Sequence, residues 1–438
     1  MFLPSSLRHK GVAAIAAAVM LATTVGPLGA TSSNAASSHA PITLTFWTWV
    51  PHLDKVVRLF EQTHPGITVN VVNAGQGTPE LTKLRIAFKA GSGAPDVVQL
   101  PDPNIPEFVL SGKLVDLSQY GATSVKNQFL PASWAQVSVG PKVYAIPQDT
   151  GPMALLYRKD IFDKYHLAVP TTWDQYAREA VALHQVNPKV YMTDFPSGEG
   201  IEPVSMMSQA GAHNFTVNGT SISINLTDPA SLRVMNYWGN LWKARAVSAS
   251  PQWTPSWYTG MADGSYASWL TAAWGPLFLK GFAAKTSGLW RVAPLPQWTP
   301  GAPVSTNLGG STNAVTTQSA HPKEAATFAI WLNTDPTASK MLVTTTLLFP
   351  QRRALLNDPT LLNVRDSFFG GQQVFRLFAQ SLKQAGTIQW SPVQDYVSEQ
   401  LTNDVSAAAA GKMTVEQALQ KVQHDAIAYC RAQGFTIK

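Results

Sequence analysis

The sequence predicts an α/β protein of more than one domain, built on a mainly parallel sheet, and three observations lead there. Close to the N-terminus, alternating and helical periodicities follow one another as strand, helix, strand, helix, strand. The chain has 438 residues, more than one ordinary hydrophobic core organises. Hydrophobic residues make up 45% of it, enough to bury a sizeable core and to exclude disorder of the whole chain.

The elements follow in order. Arg8, His9 and Lys10 form a basic n-region, Gly11 to Ala22 is uncharged and apolar, and small residues run from Gly29 to Ala40. Ser33-Asn34-Ala35 fits a small-x-small cleavage site, so residues 1–35 are expected to be a signal peptide and the mature chain to begin near Ala36. The apolar run is shorter than the ~18–20 residues of a spanning helix. No cysteine follows it, so lipid attachment through a lipobox is not expected. Ile42 to Phe46 alternates as a strand and ends in Trp47-Thr48-Trp49. Leu53, Val56, Val57 and Phe60 are spaced as a helix, stopped by Pro65-Gly66. Ile67, Val69 and Val71 alternate again, Leu81, Leu84 and Phe88 mark a second helix ended by Gly91, and Asp96 to Leu100 is a short buried strand. Crevices in such sheets open at the carboxyl ends of strands, which places Trp47, Trp49 and Asp102 at a candidate site. Further helices are expected from Thr172 to Val186, Pro229 to Ala246, His321 to Asn333, Val393 to Ala410 and Val415 to Arg431. Thr171 or Thr172 is the expected N-cap of the first, and Asp228 the expected cap or N-terminal charge of the second. The sequons at Asn214, Asn218 and Asn225 read as a polar β-hairpin. No tandem repeat or low-complexity linker separates domains, so short crossing strands must join them.

Composition excludes several functions. Charged residues are 13%, about half the usual ~25%, which leaves a surface rich in Ser, Thr, Gln, Asn and Gly. Few carboxylates to protonate would suit an acidic medium. The net charge is +6; without Arg8 and Lys10, thirty basic side chains stand against 26 acidic ones, a net +4 with no Lys/Arg run. A nucleic-acid partner is not expected. One cysteine, Cys430, makes neither an intrachain disulfide nor a multi-cysteine metal site. There is no P-loop, HExxH, GxSxG or GxGxxG, and the nine histidines form no ligand-spaced cluster, so no cofactor or metal is expected.

The fourteen tryptophans are the anomaly. Six lie between Pro251 and Pro300, at 253, 257, 269, 274, 290 and 298, with Trp242 just upstream. Trp47, Trp49, Trp253, Trp257, Trp274 and Trp298 are flanked by Gly, Pro or Thr in expected loops. An indole offers a flat apolar face and a polar edge. Sugars have an apolar C–H face and a hydroxyl rim. A cleft of indoles with a few carboxylates and amides would hold one.

Several motifs now stand in one order. Phe46-Trp47-Thr48-Trp49 is followed by Gly91-Ser92-Gly93-Ala94-Pro95-Asp96-Val97-Val98 and Gly112-Lys113-Leu114-Val115-Asp116-Leu117. Then come Tyr144 to Gly151, Leu156 to Asp160, Pro170-Thr171-Thr172-Trp173, Trp290 to Pro300, Leu308-Gly309-Gly310-Ser311, and His321 to Ala326 opening a helix to Trp331-Leu332. In these the chain resembles the family 1 extracellular solute-binding proteins of ABC sugar transporters, the maltose-binding-protein-like group. Ala145 stands where that pattern has Gly, and Arg158 where it has Asn. The likeness covers nearly all of the mature chain.

The resemblance implies a two-lobed periplasmic-binding-protein type II fold, each lobe a mainly parallel sheet flanked by helices, with ligand in the interlobe cleft. It implies one lobe of residues 36–149 plus about 305–350, another of 150–304 plus about 351–438, and a first crossing after Asp149. The family's ligand contacts map onto Trp47, Trp49, Asp102, Asp149, Gly151, Trp274, Gly310 and Trp390, with Glu199 and Asn307 added from loops where some relatives touch sugar. Trp274 is the foremost, because the family often places a stacking aromatic there. The resemblance further implies an exported, monomeric protein that binds a carbohydrate, hands it to ABC permease subunits and performs no chemistry. Two alternatives stay open: a secreted glycosidase or lyase using an Asp/Glu pair, and the same fold holding a non-sugar solute. For Asp149 a turn role before Thr150-Gly151 is the alternative to ligand contact.

Overall fold

The protein is described by a computed structural model over residues 40–195 and 200–438. The expected signal peptide and Glu199 lie outside the described residues.

The strands are β1 (Ile42–Trp47), β2 (Ile67–Val72), β3 (Val97–Pro101), β4 (Ser138–Val139), β5 (Lys142–Val143), β6 (Ala145–Arg158), β7 (Phe215–Asn218), β8 (Ser221–Ile224), β9 (Ser268–Ala272), β10 (Trp290–Ala293), β11 (Asn307–Val315) and β12 (Thr436–Ile437). β1 pairs in parallel with β2, from Ile42 opposite Ile67 to Trp47 opposite Val72, and in parallel with β3 on its other side. The opening β-α-β-α-β order therefore makes the parallel sheet it predicts, covered by helices Asp54–Thr63 and Thr78–Ala90. Beyond it the sheet differs from the expectation. Its order is β10-β6-β11-β3-β1-β2, with β9 also on β6, and every pair involving β6 or β11 is antiparallel. The sheet is mixed rather than mainly parallel. Local periodicity finds strands, but the direction of a partner far away in sequence leaves no local trace.

β6 and β11 run side by side between separate hydrophobic cores. The first core gathers Leu44, Phe46, Phe60, Val97, Phe108 and Phe328; Ala145 and Ile146 of β6 and Ala314 and Val315 of β11 belong to it. The second is built on Trp173, Tyr176, Phe195, Trp238 and Trp242, and takes Met153 and Leu155 of β6 and Leu308 of β11. A third holds Trp257, Trp269 and Trp290 with Ala154 and Leu156. Residues 147–152 and 309–313 thus lie where both strands leave one core for the others. Many of the tryptophans are core. The Trp238 ring stacks on Phe195 at 4.0 Å and 18° and meets Trp173 edge-on at 5.6 Å. Burying each such ring contributes at least the roughly 1.5–3 kcal/mol of a buried Phe.

Helix starts follow the capping rules. Thr172 and Gln175 close a capping box on helix Trp173–Val186. The Asp228 carboxylate accepts from the Ala230 and Ser231 N–H groups at the head of helix Pro229–Lys243. The sequon segment is the β7–β8 hairpin, with Phe215 opposite Ile224. Among the described residues no helix is long and apolar enough to cross a membrane.

Candidate ligand-binding site

A cavity of about 1660 Å³ opens where β6 and β11 pass between the cores. Its floor is Asp149 of β6 with Leu308, Gly309, Gly310 and Ser311 of β11. Its wall is aromatic: Trp253, Tyr258, Trp274 and Phe278, with Trp49 entering from the end of β1.

The wall is a contact set of rings. Trp253 lies 6.0 Å from Trp274, 5.4 Å from Phe278, 5.3 Å from Trp257 and 6.0 Å from Trp269. Its φ is +62°, a left-handed backbone that costs a bulky residue roughly 1–3 kcal/mol and persists only where neighbours over-determine it. The Trp274 indole N–H donates to the Leu308 carbonyl at 3.1 Å, so the edge of the wall is fixed to the floor.

The floor is polar and tight. Asp149 is 7% exposed, and its carboxylate accepts from the Ser311 hydroxyl. Burial pushes the Asp149 carboxyl up to about 6, while donors from the Ser311 side chain, the Ser311 backbone and its own N–H pull it down. Burial, and then the neighbouring Asp149 charge, hold Asp102 well above the usual carboxylate range. Gly310 has φ +131°, and a Cβ there would stand 2.5 Å from Asp102 Oδ2 and 3.0 Å from the Asp149 carbonyl oxygen. At Gly151 a Cβ would come within 2.1 Å of the Leu308 carbonyl oxygen, so the β6–β11 approach excludes any side chain there.

One charged network spans the cavity. Arg85, on helix Thr78–Ala90 of the first core, donates to both Glu107 oxygens at 2.6 Å and to Asp395 Oδ2 at 2.6 Å. Asn104 donates to Asp395 Oδ1 at 2.6 Å. Asp395 lies in the first turn of helix Gln394–Ala409, whose Val397, Leu401 and Val405 sit in the second core. The lining charges nearly balance: Arg85, Lys89 and Lys113 against Glu107, Asp149, Asp395 and Glu399. Among the described residues no group of three or more His, Cys, Asp or Glu is arranged to hold a metal ion.

Of the residues singled out from sequence, Trp49, Asp149, Trp274 and Gly310 meet at the cavity. Asp102 and Gly151, both buried, and the half-buried Asn307 do not line it, though they stand in the same strands or the turn after β3. Trp47 and Trp390 do not join them. Trp47 is still inside the ladder, opposite Val72 and Val98, and packs on the first core; only two residues later has the chain left the sheet. Trp390 is 4% exposed within the second core. Of the other loop tryptophans, Trp257 is fully buried, whereas Trp253 does reach the cavity. Sequence reasoning missed Tyr258, Phe278 and the Arg85 network. The Arg85 partners stand 22 and 310 residues away, so no local pattern could pair them.

Residues 46–338 match the model of the bacterial extracellular solute-binding protein family. The chain belongs to that family. This solute-binding protein is 25% identical over 398 residues to an arabinooligosaccharide-binding protein of Halalkalibacterium halodurans, a match covering 87% of this chain and 88% of the relative. Its structure superposes, with a TM-score of 0.81 and 30% identity, on the ABC transporter associated binding protein of B. animalis subsp. lactis in complex with β-1,6-galactobiose, covering 91% of this chain and all of that one. The galacto-N-biose-/lacto-N-biose I-binding protein of Bifidobacterium longum, in complex with lacto-N-biose, superposes with a TM-score of 0.80 at 26% identity over the same 91% of this chain and all of that one. The two-lobed binding-protein architecture is therefore the fold class of this solute-binding protein, with the mixed sheet described above.

Proposed function

We propose that this protein is the extracytoplasmic carbohydrate-binding component of an ABC importer, taking up an uncharged oligosaccharide and releasing it unchanged to the permease. The observation that carries this reading is the facing of an indole wall, Trp253 and Trp274, and a polar floor, Asp149 and Ser311, across one cavity. Stacking takes the C–H face of a pyranose or furanose, and the floor accepts from its hydroxyls. Near-balanced lining charge suits a neutral solute. A volume of about 1660 Å³ exceeds the ~300–1,000 Å³ of common small-molecule pockets, which favours two or more sugar units over one. Relatives bearing the names of arabinooligosaccharides, galactobiose and lacto-N-biose support the same class.

In this reading Trp49, Asp149, Trp274 and Gly310 contact the sugar, with Trp253 added. Asp102 and Asn307 do not line the cavity. Residues 36–149 with about 305–350 form one lobe and 150–304 with about 351–438 the other, joined where β6 and β11 cross. Closure follows from tighter binding to the closed state. The mature chain is monomeric and starts between about Thr31 and Pro41, which N-terminal sequencing of exported protein checks.

The test is a panel of arabinotriose, β-1,6-galactobiose, lacto-N-biose and spermidine, read by calorimetry and thermal shift. A bound sugar raises the melting temperature by RT ln(1 + [L]/Kd) in free energy and is recovered unaltered. Stabilisation by spermidine alone, or hydrolysis of the sugar, would overturn the reading.

A further inference from the structure

A chain of buried hydrogen bonds runs beneath the floor, from the loop that carries Trp49 to the carboxylate of Asp149. Gln99 of β3 stands at its middle and is wholly buried. Its Oε1 lies 3.3 Å from the Trp49 backbone nitrogen and 2.5 Å from the Thr48 hydroxyl. Its Nε2 lies 2.8 Å from the Ser311 hydroxyl. Ser311 in turn meets Asp149 Oδ1.

With Asp149 ionised, the direction of every bond in the chain is determined. A backbone N–H can only donate, so the atom of Gln99 facing Trp49 must be its carbonyl oxygen. Val50 N–H donates to the Thr48 hydroxyl at 3.1 Å, which leaves the Thr48 proton for the same Gln99 oxygen. The Gln99 amide NH₂ therefore faces Ser311 and donates to it. The Ser311 oxygen is then an acceptor from Gln99, and its single proton is directed away. Two acceptors are within reach: Gln148 Oε1 at 3.2 Å and the closer, chargeable Asp149 oxygen. A charge-assisted bond is the stronger, so the proton goes to Asp149.

We infer that Gln99 is a positioning residue of the binding site: it aligns the Ser311 hydroxyl onto the Asp149 carboxylate and couples that carboxylate to the backbone that places Trp49. It touches no ligand. This inference uses the sugar-binding reading only in giving Asp149 and Trp49 a ligand to hold; the coupling itself is a property of the ligand-free protein.

Around Asp149 the other groups are accounted for. Gln148 neighbours it on β6, Gly310 and Ser311 face it from β11, Gln351 donates to its carbonyl oxygen, and Asp102 is the titratable group set against it from the turn after β3. Burial first, and then the Asp149 charge, raise Asp102. Among the described residues, the Ser311 side chain and backbone and the Asp149 N–H are the groups that favour its charged form.

The experiment uses the full chain with ¹⁵N-labelled tryptophan and follows the Trp49 backbone N–H resonance from pH 5 to 8, without sugar. The relay requires that this resonance titrate with a midpoint near that of Asp149, about 6. Asp149→Asn should remove the titration, which assigns it. Ser311→Ala should remove two links at once, so that Trp49 no longer responds. Gln99→Leu should abolish the response with the other tryptophan resonances unmoved. Gln99→Glu keeps the acceptor for Trp49 but loses the donor to Ser311. It should return a Trp49 titration that no longer depends on Asp149. A flat Trp49 resonance in the wild type, or an unchanged titration in folded Gln99→Leu, overturns the inference. If Gln99→Leu does not fold, Ser311→Ala and Asp149→Asn decide it. A sugar arm then measures β-1,6-galactobiose affinity in Gln99→Leu, where a loss of about tenfold is expected against the wild type. Should no sugar bind the wild type while Trp49 still titrates with Asp149, the sugar reading fails and the relay stands.

Discussion

The aromatic wall and the polar floor meet in one cavity but are held by different kinds of contact. The wall is redundant: Trp253 touches five rings, so removing one leaves four to hold the rest. The floor is held by a few directional bonds. Asp149 rests on Ser311, Ser311 on Gln99, and Gly310 has no room for a methyl group. Dispersion between rings is non-directional and tolerates small shifts, whereas a hydrogen bond lost inside a buried chain leaves its partner unsatisfied. The comparison predicts a floor sensitive to the smallest substitutions and a wall sensitive only to the removal of a ring that faces ligand.

The strongest way to break this contrast is Gly310→Ala. Its φ of +131° strains any side chain by roughly 1–3 kcal/mol, and the added carbon meets Asp102 and the Asp149 carbonyl. The melting temperature should fall by several degrees and sugar binding should vanish at concentrations that saturate the wild type. Retained affinity with a normal melt would show that the floor has slack. Next is Trp274→Ala, which deletes a ring facing the cavity. Affinity should drop by a factor of about 5–150, corresponding to ~1–3 kcal/mol, while the fold survives on the remaining rings. Calorimetry showing unchanged affinity would return Trp274 to the packing residues.

Asp149→Asn should cost about tenfold in affinity, the order of a ~1–2 kcal/mol charge-assisted bond. Asn is also a good turn former, so affinity within twofold of wild type would make Asp149 a turn residue.

The pH dependence bears on the floor, which holds a raised carboxyl. The Asp149 carboxyl is raised in the folded protein to about 6, against 3.8 for the free group. Glu80, buried with neither oxygen paired, is raised by burial to about 8 from 4.5. Between the free and folded values the native state holds more protons than the unfolded chain. Stability is therefore full below pH 4 for these two groups and falls as pH rises through 6 and then 8. Sugar affinity should move oppositely, weakening as Asp149 is protonated below about 6. Melting curves and titrations at pH 5, 6.5 and 8 check both signs; a melting temperature that rises with pH across that range would contradict the first. The smallest effect belongs to Trp47→Ala, expected to stay within twofold of wild-type affinity, because that ring packs on the first core and does not line the cavity.

Much of this is legible in the sequence. Strands β1 to β3 and their helices follow from apolar spacing, and Thr172 and Asp228 cap where hydroxyl and carboxylate side chains can reach free N–H groups. Trp49, Asp149, Trp274 and Gly310 stood in motifs whose order resembles the solute-binding family, and the structure brings these four to one cavity. Trp47 and Trp390 stood in similar company, yet one is held in a ladder and the other in a core. An indole is read identically in sequence whether it faces a ligand or a neighbouring helix.

The sequence by itself determined the local choices: where strands alternate, where helices start and stop, and where the fourteen tryptophans and the single cysteine stand along the chain. Those choices depend on residues within one or two turns of each other. The tertiary structure alone decided that β6 and β11 run antiparallel between separate cores, that Arg85 reaches Asp395, and that Gln99 orders Ser311 onto Asp149. Each of these pairs residues 162 to 310 positions apart, or joins strands whose direction only the closed sheet fixes. The free energy of such contacts is realised after the intervening chain has folded, and so it has no signature in any local stretch of sequence.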